Sequence, residues 1–442
     1  MFKALFNIFK IPDLKKKVLF TLGLIIVYRM GAFIPTPGIN GANLAQFFDN
    51  IARTQGGTLF GIMNMFSGGA MRQLTIFALG IMPYITASII LQLLTAVFPQ
   101  LEKLTKDPEG HKKLVQYTRQ ATVILCLVQA LFVSMWLENP AHFGNLQIVQ
   151  FPGWKFRLLT MLTLTTGTTF IMWLGEQISE RGIGNGISLI ITAGIISRLP
   201  SAVYQFSSLL YQGQVSVLNL LFILAIAVVV VGAVVLITEG QRRIPVQYAR
   251  RIVGRKIYGG QATYIPLRVN QAGVMPIIFA QSIILFPATI AGLTNSPVIQ
   301  SIAQALTPGK LFYSIFYSVL IIFFAYFYTA ISFNPKDIAD NMKRNGGFVP
   351  GIRPGKNTAE YFDYIMNRII LPGAIFLAII AITPQIIYKG FNIPYLVASF
   401  FGGTALLIVV GVLLDTMRQI ESHLLMRHYE GFVNKGRIRG RR

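Results

Sequence analysis

The stretch Gly57–Pro99, GTLFGIMNMFSGGAMRQLTIFALGIMPYITASIILQLLTAVFP, holds an apolar run too short to cross a membrane, broken at Ser67-Gly68-Gly69 and followed by a full-length one. At a rise of about 1.5 Å per residue, Leu59 to Phe66 makes two helical turns, whereas Gln73 to Val97 is long enough for a hydrocarbon layer of roughly 30 Å. Irregular backbone at that depth leaves N–H and C=O groups unpaired in lipid. A half-inserted piece must therefore be surrounded by protein or face a water-filled interior. An interfacial helix ahead of an ordinary span fits the same stretch.

Working outward, the composition is that of a membrane domain. Of 442 residues 53% are hydrophobic and 12% charged, against roughly 25% charged in soluble domains, and the mean hydropathy is +0.58. The single cysteine, Cys126, lies inside an apolar run, which excludes a disulfide scaffold or a cysteine metal cage. The four histidines, at 111, 142, 423 and 428, have no metal-ligand spacing and fall outside the apolar runs. The net charge of +23 sits between the apolar runs, where it suits anionic lipid headgroups or an acidic or RNA-rich cytoplasmic partner.

Ten spans are expected: Val18–Phe33, Gln73–Val97, Gln120–Trp136, Leu158–Leu174, Ile187–Ile196, Val217–Ile237, Val274–Ile290, Leu311–Phe333, Ile369–Ile387 and Ile393–Leu414. Around the fifth, the nearly uncharged stretch runs from Gly186 to Tyr204. The basic head Lys15-Lys16-Lys17 before the first span has no small-residue cleavage site after it and reads as a retained helix. Ten spans put both termini on one side. That side takes 31 of the 39 lysines and arginines; the other keeps Arg53, Arg72, Lys155, Arg157, Arg198, Lys310 and Lys389, with Arg29 near the end of the first span. The asymmetry makes both termini and the long basic loops cytoplasmic.

Two of those loops are too patterned to be connectors. Glu239–Gly273 carries Arg242/Arg243, Arg250/Arg251 and Arg255/Lys256 between β-branched and aromatic residues, with Gly259-Gly260 as a turn, and is expected to form two short strands around a tip. Asn334–Asp363 brackets Arg353 with Gly346-Gly347, Pro350-Gly351 and Pro354-Gly355, a turn that holds one guanidinium out as a donor fork. Charge alone serves lipid headgroups. The turn chemistry favours a macromolecular docking surface, for phosphate-rich RNA or an acidic motor or adaptor.

The spans lack the groups that intramembrane chemistry requires. None of the 16 acidic residues is central to a span, and no Walker motif or serine–histidine pairing is visible, so the chain does not read as an enzyme and its energy must come from a partner. Polar content is Thr163, Thr165, Thr166, Thr168 and Thr169, which suit helix packing, and Gln92, Gln129 and Gln281.

Several motifs then carry a resemblance across essentially the whole chain: Asn64-Met-Phe-Ser-Gly-Gly69, Gly80-Ile-Met-Pro-Tyr-Ile85, Trp173-Leu-Gly-Glu-Gln177 through Glu180-Arg-Gly-Ile-Gly-Asn-Gly186, Gly240-Gln-Arg-Arg243, Phe286-Pro-Ala-Thr289, Phe333-Asn-Pro335 and Phe348-Val-Pro-Gly-Ile-Arg-Pro-Gly355. The chain resembles the bacterial SecY family, the channel subunit of the Sec protein translocase. The resemblance implies an all-α polytopic membrane protein of ten transmembrane helices in two five-helix halves, with a half-inserted plug helix and a lateral opening between spans 2/3 and 7/8. The implied divisions are a cytoplasmic amphipathic N-terminus, 1–17; an N-terminal half, 18–207, with spans 1–5 and plug 59–70; a C-terminal half, 208–414, with spans 6–10 and loops 239–273 and 334–363; and a basic cytoplasmic tail, 415–442. The plug is Leu59, Phe60, Ile62, Met63, Asn64, Met65, Phe66, Ser67, Gly68, Gly69 and Ala70. The family's constriction ring maps onto Ile81, Ile85, Ile187, Ile191, Ile278 and Ile408. Gln92, Gln129 and Gln281 become lateral-gate candidates, and Arg242, Arg243, Arg250, Arg251, Arg255, Lys256 and Arg353 the docking residues. Implied partners are SecE and SecG subunits, the SecA motor, the rRNA phosphates of a translating ribosome, signal-sequence-bearing polypeptides and anionic lipids, at a bacterial inner membrane; no cofactor is implied.

Taken alone, isoleucines four apart, such as Ile81/Ile85 and Ile187/Ile191, read as lipid-facing or core. As a collar, stiff branched side chains exclude water when narrow yet bond to nothing that passes. Pro83 is expected to free a carbonyl and bend its span. The expected function is passage of unfolded secretory polypeptides across, and release of apolar segments sideways into, the membrane. A secondary transporter of the inverted-repeat type is the alternative, and a ribosome receptor with a packed interior a third reading.

Overall fold

The computed structural model describes residues 11–54, 64, 67–143, 146–213, 216–248, 251–253, 256–258, 262–291, 298, 301–302, 305–391, 393 and 395–435. Its helices are α1 (Pro12–Gly31), α2 (Gly41–Thr54), α3 (Met82–Val97), α4 (Pro99–Lys106), α5 (Pro108–Glu138), α6 (Trp154–Arg181), α7 (Gly186–Ile196), α8 (Leu199–Tyr211), α9 (Val217–Glu239), α10 (Met275–Ala291), α11 (Leu311–Ser332), α12 (Pro335–Arg344), α13 (Lys356–Phe391), α14 (Tyr395–Ala398) and α15 (Gly403–Lys435). Among the described residues seven helices are long and apolar enough to cross a membrane, or eight if α3 and α4, bent by 102°, form one span. The first and seventh expected spans correspond to α1, whose first turns hold Lys15–Lys17, and to α10, apolar over Met275–Ile284.

Three sequence expectations are corrected. Gln73–Val97 is not one helix: Ala70–Gln73 is a 3-10 turn and helix begins only at Met82. The 16 residues of α3 reach about 24 Å, short of the hydrocarbon layer. Pro83 does not kink a span but starts one, at a position where its missing N–H costs nothing. Ile393–Leu414 is interrupted after α14 and resumes at Gly403, whose φ is +77°. The run from Ile187 ends at Ile196 as expected, and Ser197 and Arg198 lead into α8, so the apolar stretch continues past Tyr204 to Tyr211.

The irregular residues 74–81 answer the requirement that buried backbone be paired. Thr36 N donates to Leu74 O at 3.0 Å, Ile76 N to Ile34 O at 3.0 Å and Thr75 N to Ala70 O at 3.0 Å, and Pro35 bridges Thr75. Leu74, at φ 43°, makes the reversal. Gly167 of α6 admits this segment: a Cβ there would fall 1.9 Å from Ile76 O. Protein, rather than lipid, surrounds the break.

Packing follows chain order within two groups. α3 packs on α5, α5 on α6, α6 on α7, and α1 on α6 and α7; α10 packs on α11, α11 on α13, α13 on α15 and α15 on α9. The groups meet where α7 touches α15 and where α3 touches α10. Asn185 accepts from Ser188 N as the N-cap of α7, and Ser216 and Asn334 cap α9 and α12 in the same way.

The first long loop forms strands as expected, and more of them. β1 (Gln241–Tyr248) pairs antiparallel with β4 (Ala262–Arg268), from Gln241↔Arg268 to Gln247↔Ala262, and β2 (Arg251–Val253) with β3 (Lys256–Tyr258). Gly259 and Gly260 lie outside the described residues. A two-residue strand from the second loop, β5 (Gly347–Phe348), joins β1 to give the order β4-β1-β5. Ile244, Val246 and Leu267 turn their face of this sheet onto Phe333, Met342, Phe362 and Ile365.

Candidate functional site

Four elements carry the six isoleucines, all of which belong to or pack against one large hydrophobic cluster. Ile81 is the N-cap of α3 and accepts from Ile85 N at 3.1 Å; Ile187 and Ile191 lie one turn apart on α7; Ile278 is on α10 and Ile408 on α15. α7 is drawn close to α6 because neither Gly186 nor Gly175 has a side chain: a Cβ on Gly186 would meet Gly175 O at 1.9 Å. Ile81, Ile85, Ile191, Ile278 and Ile408 are between 0% and 6% exposed within one hydrophobic cluster, and Ile187, half-buried, packs against it. These side chains offer no donor or acceptor to water and are held by dispersion and exclusion alone.

Beside it lies the turn that ends the broken segment. Leu59, Phe60, Ile62, Met63, Met65 and Phe66 lie outside the described residues; Asn64, Ser67, Gly68, Gly69 and Ala70 are described. Asn64 and Ser67 are 5% and 2% exposed. Asn64 Oδ1 accepts from Arg72 N at 3.0 Å, Asn64 O from Gly69 N at 2.9 Å, and Ser67 Oγ from Met71 N at 3.2 Å. Gly68 and Gly69 have φ +66° and +93°, a left-handed pair that side chains rarely adopt.

The three glutamines are not joined by a hydrogen bond among the described residues. Gln92 donates to Ser88 on its own helix at 3.2 Å, Gln129 is half-buried on α5, and Gln281 is 2% exposed on α10 with its Nε2 unpartnered. Thr163 and Thr169 hydroxyls donate to the carbonyls one turn back, in keeping with a packing role.

On the basic loops Arg242, Arg243 and Arg353 are exposed. Thr358 Oγ1 donates to Arg353 O at 2.9 Å, anchoring the backbone from which that guanidinium projects. Arg251 and Lys256 lie in β2 and β3, paired with Tyr258 and Val253; Arg250 and Arg255 lie outside the described residues. Alternation in β1 and β4 puts Arg243, Gln247, Tyr264 and Arg268 on the face opposite Ile244 and Val246. At the root of the hairpin Arg418 of α15 donates to Thr238 O at 2.9 Å and pairs with Glu239 at 2.9 Å and Asp415 at 3.4 Å, while Gln419 Oε1 accepts from Gly184 N at 2.9 Å. Thr238, Asp415, Arg418 and Gln419 border a cavity of about 420 Å³ between α7, α9, α10 and α15.

Sequence reasoning missed the ties of Arg418, the strand β5 and the bond from Arg29 Nη1 to Gly68 O, 3.1 Å long. Only the position of Arg29 near the end of the first span hinted at the last.

The family model described as SecY matches residues 75–417. Protein translocase subunit SecY of Streptomyces coelicolor is 48% identical over 451 residues, covering 98% of this chain and 100% of that one. A solved SecY channel, described as one whose plug domain stabilizes the closed state and maintains a membrane seal, superposes with a TM-score of 0.63 at 19% identity, over 96% of this chain and 94% of that one. Sec61 in a canine ribosome–channel complex from the endoplasmic reticulum gives a TM-score of 0.62 at 18% identity, over the same shares, 96% and 94%.

Proposed function

The chain belongs to the SecY family, and we infer from that membership and from the packing of its isoleucines how its channel closes and opens. It is a multi-pass membrane protein and a protein-translocating channel subunit rather than an enzyme. The transporter reading is not favoured.

In our reading, the six isoleucines form the constriction that closes at rest around no chain and widens around a polypeptide. The single observation that carries it is their convergence from four elements into one buried cluster. Residues 59–70 form the plug, a reading supported by the glycine turn at Gly68-Gly69 and by the plug-bearing channel of the same fold. Ten spans fall into halves 18–207 and 208–414, in keeping with two packed groups that touch along α7/α15 and α3/α10. The α3/α10 seam is the lateral gate, with Gln92, Gln129 and Gln281 as its polar groups. Opening it lets an apolar signal segment leave water, at roughly 0.8 kcal/mol per buried CH₂.

The joined loops 239–273 and 334–363 dock a translating ribosome or the SecA motor through Arg242, Arg243, Arg250, Arg251, Arg255, Lys256 and Arg353. Their exposed basic face and the ribosome-bound relative of the same fold support this. SecE and SecG are companion subunits, anionic lipids neutralise the remaining charge, and both termini, including 1–17 and 415–442, face the cytoplasm of a bacterial inner membrane. The test is reconstitution of the chain with its co-purifying subunits in proteoliposomes supplied with the motor and ATP. Protease-protected, signal-dependent import of a secretory precursor is expected; import independent of a signal would contradict gated passage.

A further inference from the structure

The end of α1 and the glycine turn of the broken segment are 39 residues apart in sequence, yet Arg29 Nη1 donates to Gly68 O at 3.1 Å. The guanidinium also lies 5.2 Å from the centre of the Phe33 ring, which fixes its direction. The same turn rests on α7: a Cβ built on Gly68 would come 3.0 Å from Gly194 Cα and 3.0 Å from Arg29 Nη1. Gly194 is on the helix that carries Ile187 and Ile191. Gly68 is buried, so its carbonyl gains from a charge-assisted bond that a neutral donor replaces only in part.

We propose that Arg29 is a positioning residue for the closed channel: it latches the Gly68 carbonyl and so holds the Ser67–Gly69 turn in a notch on the constriction-bearing helix α7. Because the turn is seated on α7 itself, movement of that helix away from the pore axis pulls Gly194 from under Gly68 and strains the latch. Widening of the collar and release of the turn are thereby linked at one point. A lysine offers a single point charge on a shorter reach and keeps part of the bond; a glutamine keeps bulk and a neutral donor but loses the charge. This inference rests on the reading of 59–70 as the plug.

The test uses a thiol at Ser67, which is 2% exposed, as a reporter; the chain's own Cys126 is fully buried and gives little background. Ser67→Cys is placed alone and together with Arg29→Gln, Arg29→Lys or Gly68→Ala in the full chain, purified with its companion subunits in lipid nanodiscs, and the rate of labelling by a membrane-impermeant maleimide is measured. Arg29→Gln is expected to raise the rate about tenfold and Arg29→Lys less. Gly68→Ala, which leaves Arg29 in place but puts a methyl between it and Gly194, is expected to match Arg29→Gln. Should Arg29→Gln fold poorly, the other two variants carry the comparison. Labelling unchanged in all of them would overturn the latch. Faster labelling with unchanged resting ion conductance would uphold the latch and reject residues 59–70 as the seal.

Discussion

Gln247 on β1 stands opposite Phe348 on β5, so two basic loops about a hundred residues apart share one sheet. The consequence is that Arg353, a few residues beyond β5, has a fixed position relative to Arg243 and Arg268 rather than swinging on a separate loop. A side chain at the first residue of β5 would force its neighbours to shift: a Cβ on Gly347 would lie 2.9 Å from both Met342 Cγ and Tyr248 Cε1. Gly347→Val is therefore expected to push β5 off β1 and lower motor-driven import several-fold at equal channel abundance. Import into vesicles, set against immunoblotted channel, checks this. Full import would mean that the two loops act independently.

The basic face of the sheet yields an electrostatic expectation. Arg243 and Arg268 are exposed on the same face. Each arginine bound to a phosphate releases counterions, so Arg243→Glu with Arg268→Glu should weaken ribosome binding and flatten the log–log salt dependence by about one unit for each phosphate no longer neutralised. Co-sedimentation across a salt series measures the slope. Weaker binding with an unaltered slope would place the phosphate-binding residues elsewhere.

How much of this was legible in the sequence depended on the length of the signal. Spans of about twenty apolar residues bounded by basic ones, such as α9 and α11, came through with ends within a residue or two. The hairpin 241–268 came through because β-branched and aromatic residues alternate with arginines there. The break at 74–81 did not, since LTIFALGI is as apolar as any span. What keeps it from being helix is pairing with residues 34–36, which joins distant segments of the chain. The interruption before Gly403 was hidden in the same way by an apolar stretch, though the backbone bonds there, Phe400 N to Val397 O and Phe401 N to Ala398 O, are local. β5, two residues long, has no periodicity to read. The isoleucine collar was reached only through the family resemblance, because isoleucines four apart are equally at home facing lipid. Convergence from four elements is a property of the tertiary fold.

The seam between α3 and α10 carries a mechanical expectation. The two helices are in contact, and Ile89 on α3 and Ile284 on α10, 4% and 0% exposed, belong to the same hydrophobic cluster. A disulfide between engineered cysteines across α3 and α10 should abolish import of precursors with cleavable signals, and reduction should restore it. Full-rate import through the oxidised channel would show that chains pass without parting this seam.

The most direct test of closure by the collar is single-channel recording on the purified complex in planar bilayers, with no precursor present. Replacing Ile85, Ile191, Ile278 and Ile408 together with serine puts hydroxyls where only branched hydrocarbon now stands, and water wets a polar constriction. Resting conductance in the four-serine channel is expected well above wild type, with a smaller rise when Asn64–Ala70 is deleted. A four-serine channel that stays as ion-tight as wild type while still importing protein would contradict closure by the collar, because these isoleucines would then not line the pore.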